Sequence, residues 1–401
     1  MKIAYFTDTF LPQINGAVTS LVTISSALAS SGHQITIFAP KPKRGGKISF
    51  NPRGISLELL PSMPSFLYPD FRAAVPISPK LLQIIRQTDP DIIHFQTTFF
   101  LGGGGIFLGK LLKKPVIGSF HGYFMEPEYL KIVKLDHQIK MISNILWRYV
   151  ALFYSQCDDV LTYSEGGRED LKKHGVKKPI FVIPNTINEE KMKKVSDEKI
   201  SQLRQQYKLN KRVVLYVGRI SAEKNLDILV KSFSYLFKKA SDTTLFLIGD
   251  GPMRKDIIHL CRDLSIEKQV IFAGQIPQEK LLQEGYYQLA DVFVTASTSE
   301  LQPVSIIEAM YFGLPLVGVA KRGALEMIQG VGLLSQPNEI GSLAQNILKV
   351  ISDKNVHDEL SKNSLLEYER KYKPKKVVQA YDSFYEEVLK RYNKQKRLKS
   401  L

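Results

Sequence analysis

The sequence predicts an α/β protein with two doubly wound parallel sheets, and two patterns together with the chain length lead to this fold class. Short apolar runs alternate with amphipathic helical segments along most of the 401 residues. Several runs are apolar at every position, which is typical of strands buried on both faces of a parallel sheet. A chain of this length accommodates two domains of ordinary size, so we expect one sheet in each.

The first half of the chain carries the strands of the first domain. It opens with a strand, a loop, a helix ended by Gly32, and a second strand, the arrangement that begins a doubly wound domain. The predicted strands are residues 3–7, 34–39, 55–60, 92–95, 116–120, 159–163 and 179–183. The glycines at 102–105 are predicted to open a helix, and 127–156 to form a long one. A stiff turn at 184–188 then predicts a boundary, with one domain over 1–186 and the other over 187–374.

The second half repeats the alternation of strands and helices. A charged helix is predicted at 197–207, and a further helix begins near Asn225. The predicted strands are residues 212–217, 243–248, 270–273, 291–296 and 316–319. Helical segments fill the remainder, and 375–395 form a last helix.

The net charge of +16 is unevenly distributed. Residues 1–188 contain 21 Lys and Arg against 13 Asp and Glu, whereas residues 189–369 contain 23 of each. The last 32 residues contain 11 against 3. This distribution predicts an anionic partner for the first half and the tail, with a membrane surface and nucleic acid as candidates. The alternative is that the proteins of the organism are basic in general, so that the charge indicates no particular partner.

Several classes of protein are disfavoured by composition. No apolar run reaches the roughly 18 residues that a spanning helix needs, and the N-terminus lacks a signal-peptide core. We therefore expect a cytoplasmic protein. The two cysteines fall in opposite halves and suggest neither a disulfide nor a zinc site. Asp89 and Asp91 form an Asp-x-Asp pattern but precede their strand, at the wrong end of the sheet for a ligand, so we expect no metal site.

The chemistry is predicted to centre on residues 297–313, STSELQPVSIIEAMYFG, which follow a buried strand. Glu300 falls in the strand-to-helix loop, and Glu308 lies about one turn inside the helix. Between them, Pro303 and Val304 mark a helix start whose unpaired N–H groups suit a phosphate. The alternative is that Glu300 only caps the helix and that Glu308 is a solvated helix residue.

A second motif supplies cations at the end of another strand. Gly218 to Asn225, GRISAEKN, follows strand 212–217 and contains Arg219 and Lys224. The guanidinium of Arg219 can form two parallel hydrogen bonds to a diphosphate, and Lys224 adds a point charge. The alternative is that both are ordinary surface cations.

Three further positions lie at predicted strand ends. His121 follows strand 116–120 and is placed to hydrogen-bond a sugar hydroxyl or a backbone carbonyl, with a purely structural histidine as the alternative. Gly16, in the loop after the first strand, permits a close backbone approach to a phosphate or sugar, or serves the turn alone. Gly249 begins the turn GDGP after strand 243–248.

These motifs, in this order, resemble the glycosyltransferases of family 4. The resemblance spans essentially the whole chain through Gly16, His121, Arg219/Lys224, Gly249–Pro252 and Glu300/Glu308. It implies a GT-B fold, two Rossmann-like domains facing a cleft, with the last helix (375–401) crossing back to the first domain. It also implies a nucleotide-sugar donor in the second domain, an acceptor site in the first, a glycine-rich donor loop at 321–332, and transfer with retention of configuration.

The resemblance assigns roles to the site residues as well. Glu308 would hydrogen-bond the ribose hydroxyls, while Glu300 and His121 would contact the transferred sugar. Arg219, Lys224 and the helix start would stabilise charge on the departing diphosphate without a metal or cofactor. Leu301 and Gln302 stand where Phe-Gly is commoner, which leaves the donor sugar open.

The acceptor is predicted to be a lipid. The opening FTDTFLPQINGAVTS and the variant SELQPVSIIEA look like lipid-directed members such as diacylglycerol glucosyltransferases and phosphatidylinositol mannosyltransferases. The basic amphipathic segment 127–156 suits a membrane surface, although most such helices face their own core. We expect transfer of glucose from UDP-glucose to diacylglycerol on the inner face of the cell membrane. A soluble or polysaccharide acceptor and a catalytically silent binder remain as alternatives, and the lack of base-stacking motifs argues against nucleic acid.

Overall fold

A computed structural model describes residues 1–13, 15–43, 46–64, 72–126 and 139–398, which form two compact units. The first unit comprises Met1–Met125, Leu135–Thr186 and Pro374–Leu401; the second comprises Glu126–Lys134 and Ile187–Lys373. Part of the predicted long helix (127–138) and part of the aromatic, proline-rich stretch (65–71) lie outside the described residues.

The first unit is built on a seven-stranded parallel sheet. The unit has nine described strands, of which all but β4 and β5 form this sheet: β1 (Lys2–Phe6), β2 (Gln34–Pro40), β3 (Ile55–Leu60), β4 (Ser62–Pro64), β5 (Arg72–Ala74), β6 (Ile92–Phe95), β7 (Val116–Phe120), β8 (Asp159–Thr162) and β9 (Ile180–Val182). The sheet has the order β3-β2-β1-β6-β7-β8-β9, and β4 and β5 pair antiparallel beside it. The strand order reverses at β1 and β6, so the loops after these two strands flank the switch point where such sheets bind ligands.

Side-chain hydrogen bonds cap the starts of several helices of the first unit. The helices are α1 (Gly16–Ser30), α2 (Pro79–Thr88), α3 (Phe100–Leu112), α4 (Ile139–Ser155) and α5 (Glu165–Lys173). Asn15 caps α1, accepting from the N–H of Val18 at 3.0 Å. The cap of α3 comes from a distant residue, because the buried Asp8 accepts from the N–H of Leu101 at 2.8 Å. The predicted helix start at 102–105 is wrong by two residues, since the glycines lie inside α3, where Gly102 and Gly104 allow close packing.

The second unit is built on a six-stranded parallel sheet. Its strands are β10 (Arg212–Val217), β11 (Thr243–Ile248), β12 (Val270–Gly274), β13 (Val292–Thr295), β14 (Leu316–Val319) and β15 (Leu333–Ser335), in the order β12-β11-β10-β13-β14-β15. Alternate residues of β10 enter two different cores, with Val213 and Leu215 in one and Val214 and Tyr216 in the other. Both faces are therefore covered, which explains why these strands are mostly apolar.

Helices cover both faces of this second sheet. They are α6 (Asp197–Gln206), α7 (Leu226–Phe237), α8 (Arg254–Asp263), α9 (Gln278–Gln283), α10 (Val304–Tyr311), α11 (Arg322–Ile328), α12 (Ile340–Ser352) and α13 (Lys354–Glu367). The loop expected at 321–332 is wrong, because α11 occupies most of it. A Cβ on Gly323 would lie 2.1 Å from the carbonyl oxygen of Leu301, so this glycine serves close packing at a helix start.

The last helix, α14 (Pro374–Leu398), belongs to the first unit and packs against α1. Its buried face includes Tyr381 and Tyr385, and His33 lies 2.7 Å from Asp382. Arg391 near its end forms an ion pair with the buried carboxylate of Asp159. Within the described ranges, no helix is both long enough and apolar enough to cross a bilayer.

Candidate active site

Three loops meet at the carboxyl edge of the second sheet. They follow the neighbouring strands β10, β11 and β13, and contain residues 218–225, 249–253 and 296–303. Since all strands of this sheet are parallel, each loop leaves from the same edge. The sheet order thus brings together motifs that are about 80 residues apart in sequence.

Glycines allow the loops after β10 and β11 to approach each other closely. Gly249 has φ of +137°, and a Cβ there would lie 1.9 Å from the carbonyl oxygen of Gly218. A Cβ on Gly251 would lie 2.3 Å from the carbonyl oxygen of Ile220. Gly249 therefore has a demonstrable packing role, whether or not it also contacts a ligand.

Lys224 and Glu300 form an ion pair that joins the loops after β10 and β13. Both side chains are largely buried, with 14% and 23% of their surface exposed. Asn225 reinforces the junction, donating to the carbonyl oxygen of Ala296 at 3.1 Å and to the hydroxyl of Thr298 at 3.0 Å. The cation and carboxylate that the sequence singled out are thus held together by a fixed backbone.

Arg219 is exposed at the same edge but is not part of this ion pair. Its carbonyl oxygen accepts a hydrogen bond from the Tyr216 hydroxyl at 2.9 Å, which fixes the backbone. Among the residues that the structure describes, none forms an ion pair with its guanidinium. The group is therefore available to an anionic ligand.

Glu308 lies inside α10 and is buried, with 4% of its surface exposed. Its carboxylate accepts a hydrogen bond from the Tyr287 hydroxyl and another from the Gln278 amide at 3.4 Å. Burial raises its pKa, and these two hydrogen bonds oppose that shift. The sequence alternative of a solvated Glu308 is therefore wrong, while a contact with ribose stays a prediction.

The start of α10 offers backbone donors beside Glu300. Pro303 is the N-cap residue and has no side chain that accepts from the first turn, and Val304 is the first helical residue. The carbonyl oxygen of Glu300 accepts from the N–H of Gly323 at 3.0 Å, which ties the loop to α11. A glutamate cap on α10 is not observed, because the Glu300 carboxylate is paired with Lys224.

His121 lies in the first unit, directly after β7. Its Nε2 lies 2.7 Å from Oε1 of Gln96 and 3.0 Å from the Tyr163 hydroxyl. Burial lowers the pKa of the imidazole to about 3, so the ring is neutral at physiological pH. A neutral ring can accept or donate a hydrogen bond but supplies no positive charge to a phosphate.

Gly16 is the first residue of α1, and a Cβ at this position would meet no atom within 4 Å. Local packing therefore does not demand a glycine here. The open space beside it is compatible with the predicted approach of a ligand.

Sequence reasoning missed the residues that hold the predicted ones in place. Gln96 follows β6 directly, at the same sheet edge as His121. The position directly after a strand, which made His121 a candidate, is therefore shared by Gln96. For Asn225 the sequence indicates only the start of a helix and not its hydrogen bonds to Ala296 and Thr298. Tyr287 and Gln278 gave no signal, because their link to Glu308 depends on tertiary packing.

The second unit's edge can bind a phosphorylated polar ligand. It combines an exposed guanidinium, an ammonium paired with a carboxylate, and a helix N-terminus whose dipole favours negative charge. Among the described residues, no group of three His, Cys, Asp or Glu side chains is arranged to hold a metal ion.

Comparison with known proteins identifies the family. Residues 14–191 match the family model described as Glycosyltransferase Family 4, and residues 197–366 match Glycosyl transferases group 1. The chain is 33% identical over 322 residues to the alpha-monoglucosyldiacylglycerol synthase of Streptococcus pneumoniae, covering 79% of this chain and 70% of that protein. The chain belongs to glycosyltransferase family 4.

A second relative is similar over most of the chain, and a solved structure shares the fold. The GDP-mannose-dependent alpha-mannosyltransferase of Corynebacterium glutamicum is 24% identical over 364 residues, covering 90% of this chain and 83% of that protein. The crystal structure of HepE from Anabaena, in complex with UDP and glucose, matches with a TM-score of 0.77 at 19% identity. That match covers 96% of this chain and 100% of the other. The family 4 resemblance and the GT-B fold predicted from the sequence are confirmed.

Proposed function

We propose that this family 4 glycosyltransferase moves glucose from UDP-glucose to diacylglycerol at an anionic membrane surface, with retention of configuration. The observation that carries the proposal is the Lys224–Glu300 pair beside exposed Arg219 at one sheet edge. The relative named as an alpha-monoglucosyldiacylglycerol synthase supports glucose and diacylglycerol as the transferred group and the acceptor.

The donor's diphosphate is the ligand for the cations. Breaking the anomeric C–O bond leaves negative charge on the diphosphate, and preorganised donors at that charge contribute roughly 3–4 kcal/mol each. Arg219 supplies an exposed guanidinium that forms no ion pair with any described residue, and a diphosphate offers Lys224 a second anionic partner beside Glu300. The first-turn N–H groups of Val304 and its neighbour add the positive end of a helix.

The carboxylates act on the sugars of the donor. The Glu308 carboxylate accepts hydrogen bonds from the ribose hydroxyls, either in place of the bond from Tyr287 or through lone pairs that Tyr287 does not use. Glu300 contacts the transferred glucose. His121 contributes a hydrogen bond to the same sugar. With no further carboxylate assigned as a covalent nucleophile, the acceptor hydroxyl attacks the anomeric carbon on the face that the diphosphate leaves. The new C–O bond replaces the bond to the diphosphate, and the hydroxyl proton passes to the departing phosphate oxygen.

Variants of the ion pair test the enzymatic role. Lys224→Ala and Glu300→Gln are expected to lower kcat/KM by about 10²–10³ in protein that still folds, because each removes one preorganised interaction. Lys231→Ala is the matched control, since Lys231 forms an ion pair with Asp227 on the surface of α7. Full activity in either folded variant would contradict the assignment, and absence of transfer by the wild type with every nucleotide-sugar would favour a silent binder.

A lipid acceptor is supported by the surface of α3 and α4. These neighbouring helices expose large apolar side chains, which define the α3–α4 face: Phe100, Phe107, Leu111, Met141, Ile145, Tyr149 and Leu152. Neither helix contains an acidic residue, and Lys110, Lys140 and Arg148 are exposed on them. Apolar side chains interspersed with cations suit the interface of an anionic bilayer.

The donor and acceptor are tested together with labelled sugars and vesicles. UDP-glucose is expected to label a lipid product in phosphatidylglycerol vesicles that contain diacylglycerol, with little turnover when the vesicles are left out. A panel that includes GDP-mannose tests the donor, since one relative is named for that nucleotide-sugar. Equal rates with and without vesicles would end the lipid proposal and favour a soluble or polysaccharide acceptor.

A further inference from the structure

A chain of hydrogen bonds runs through the buried interior of the first unit from α14 to His121. The Tyr385 hydroxyl lies 3.0 Å from Nδ1 of His94, whose Nε2 lies 2.8 Å from the Ser119 hydroxyl. The Tyr163 hydroxyl donates to Ser119 at 3.4 Å and lies 3.0 Å from Nε2 of His121. The four residues behind His121 are each exposed by 2% or less. A polar chain this deep is maintained only if each member finds its partner.

The partners of His121 determine which ring nitrogen carries the proton. Oε1 of Gln96 has no proton to give, so the Nε2 that lies 2.7 Å from it must be the donor. The Tyr163 hydroxyl donates its proton to Ser119, so toward His121 the phenolic oxygen acts as an acceptor of the same Nε2–H. A neutral imidazole has one N–H, which leaves Nδ1 of His121 with a lone pair.

We propose that Gln96 and Tyr163 are positioning residues that fix His121 as its Nε2–H tautomer and so present Nδ1 as the acceptor for a sugar hydroxyl. The inference rests on the proposed function of His121 as a sugar contact. Ser119 and His94 extend the support to the last helix. A substrate hydroxyl then donates to Nδ1, and the ring needs no rearrangement on binding.

The tautomer is measured directly by NMR on protein labelled with ¹⁵N in its imidazole rings. The chain has seven histidines, and the signals of His121 are those lost in His121→Asn. Long-range ¹H–¹⁵N correlations are expected to show a protonated Nε2 and a bare Nδ1 at pH 7. A protonated Nδ1 in the wild type would overturn the proposal. No nucleotide-sugar is needed, so this result is independent of the proposed function.

Variants then test which residues set the tautomer. Tyr163→Phe and Gln96→Leu are expected to shift the His121 nitrogen signals toward a mixture of tautomers. Tyr154→Phe is the matched control, because its buried hydroxyl donates to the backbone carbonyl of Ser119 at 2.7 Å and lies outside the chain to His121. An unchanged His121 spectrum in both test variants, or an equal change in the control, would overturn the assignment of positioning residues.

Kinetics separates the positioning role from the sugar contact. With transfer established, Tyr163→Phe and Gln96→Leu are expected to lower kcat/KM about tenfold, and Tyr154→Phe to remain near the wild type. A kinetic loss without a change of tautomer would count against the proposal. A change of tautomer without a kinetic loss would uphold the positioning residues and refute the sugar contact of His121.

Discussion

At the scale of single residues, two glycines with similar sequence settings have different roles. Both Gly16 and Gly249 follow a strand and precede a helix. Gly249 adopts a positive φ and lies against Gly218, so the fold itself requires a glycine there. Gly16 begins a helix in open space, and no contact among the described residues requires a glycine there. The sequence could not separate them, because the distinction depends on the neighbouring loop.

Replacing Gly16 separates stability from activity. Gly16→Ala is expected to leave the free energy of unfolding unchanged or to raise it by up to ~1 kcal/mol, since alanine favours a helix. If a substrate approaches the backbone here, KM rises several-fold because the new methyl group occupies that space. Urea unfolding and steady-state kinetics measure the two effects.

Gly249→Ala is the contrasting control. It is expected to lower the free energy of unfolding of the second unit by several kcal/mol, because its methyl group would overlap a backbone carbonyl. Equal stability in the two variants would contradict the roles assigned to these glycines, and an unchanged KM in Gly16→Ala would remove that residue from the site.

Asp8 predicts a pH dependence of stability. Burial raises the pKa of this carboxyl from 3.8 to about 6, although several hydrogen bonds at the start of α3 oppose the shift. A raised pKa means that the folded state holds the proton more tightly than the unfolded state. The resulting stabilisation is complete below about pH 4 and is lost as the pH rises to about 6, an effect on the order of 3 kcal/mol.

Unfolding measured across this pH range checks the prediction. Asp8→Asn keeps a carbonyl oxygen for the N–H of Leu101 but cannot titrate. The free energy of unfolding of the variant is therefore expected to vary less with pH between 4 and 6 than that of the wild type. Identical pH profiles for the two proteins would refute this account of Asp8.

At the scale of elements, α3 shows how a helix rich in glycine can be stable. A Cβ on Gly102 would lie 1.9 Å from the carbonyl oxygen of Thr97, and one on Gly104 would lie 2.5 Å from that of Pro76. A Cβ on Gly103, between them, would meet nothing within 4 Å. The helix is thus packed closely on one side and open on the other.

Two substitutions in α3 test this asymmetry. Gly103→Ala is expected to raise the free energy of unfolding by up to ~1 kcal/mol, because alanine loses less backbone entropy in a helix. Gly104→Ala is expected to lower it by 1–3 kcal/mol, roughly the range for overpacking. Urea unfolding measures both, and a destabilised Gly103→Ala would show that the outer side of α3 is covered after all.

The elements themselves were largely predictable, and the exceptions have physical reasons. Strands such as β6, β7 and β10 have the predicted bounds, because burial on both faces makes most of their residues apolar. The short β4 and β5 were missed since proline and polar residues interrupt the alternation around Ser62 and Arg72. The last strand, β15, has only three residues, too few for a pattern. The loop predicted at 321–332 is wrong because, in sequence, a glycine required for close packing, such as Gly323, looks like one required for a loop.

At the scale of the whole molecule, the sequence predicted which residues lie at the strand ends better than it predicted the partners of those residues. The strand-end motifs follow from local patterns, and the sheet order brings two of them together. The pair of Lys224 with Glu300, 76 residues apart, needs that sheet order. The links of Glu308 to Tyr287 and of His121 to Tyr163 depend on packing between elements, which periodicity cannot show.

The charge distribution and the α3–α4 face predict how the whole molecule binds membranes. Binding to phosphatidylglycerol vesicles is expected to weaken as salt screens the excess of Lys and Arg in residues 1–188 and 370–401. The apolar part of the interaction is tested by Ile145→Ser combined with Leu152→Ser, whose side chains are 55% and 68% exposed. We expect about a tenfold or greater loss of vesicle binding, since each removes apolar area from the bilayer contact.

A matched surface residue distinguishes this face from apolar exposure in general. Leu366 of α13 in the second unit is 57% exposed, so Leu366→Ser removes a comparable side chain elsewhere. Sedimentation with vesicles is expected to be unchanged in this control, and melting temperatures are expected to match the wild type in both variants. Because exposed leucines contribute little to folding, any selective loss of binding reports on the lipid contact. Equal binding by the wild type and the Ile145/Leu152 variant would locate the membrane contact elsewhere, with the basic α14 as the next surface to test.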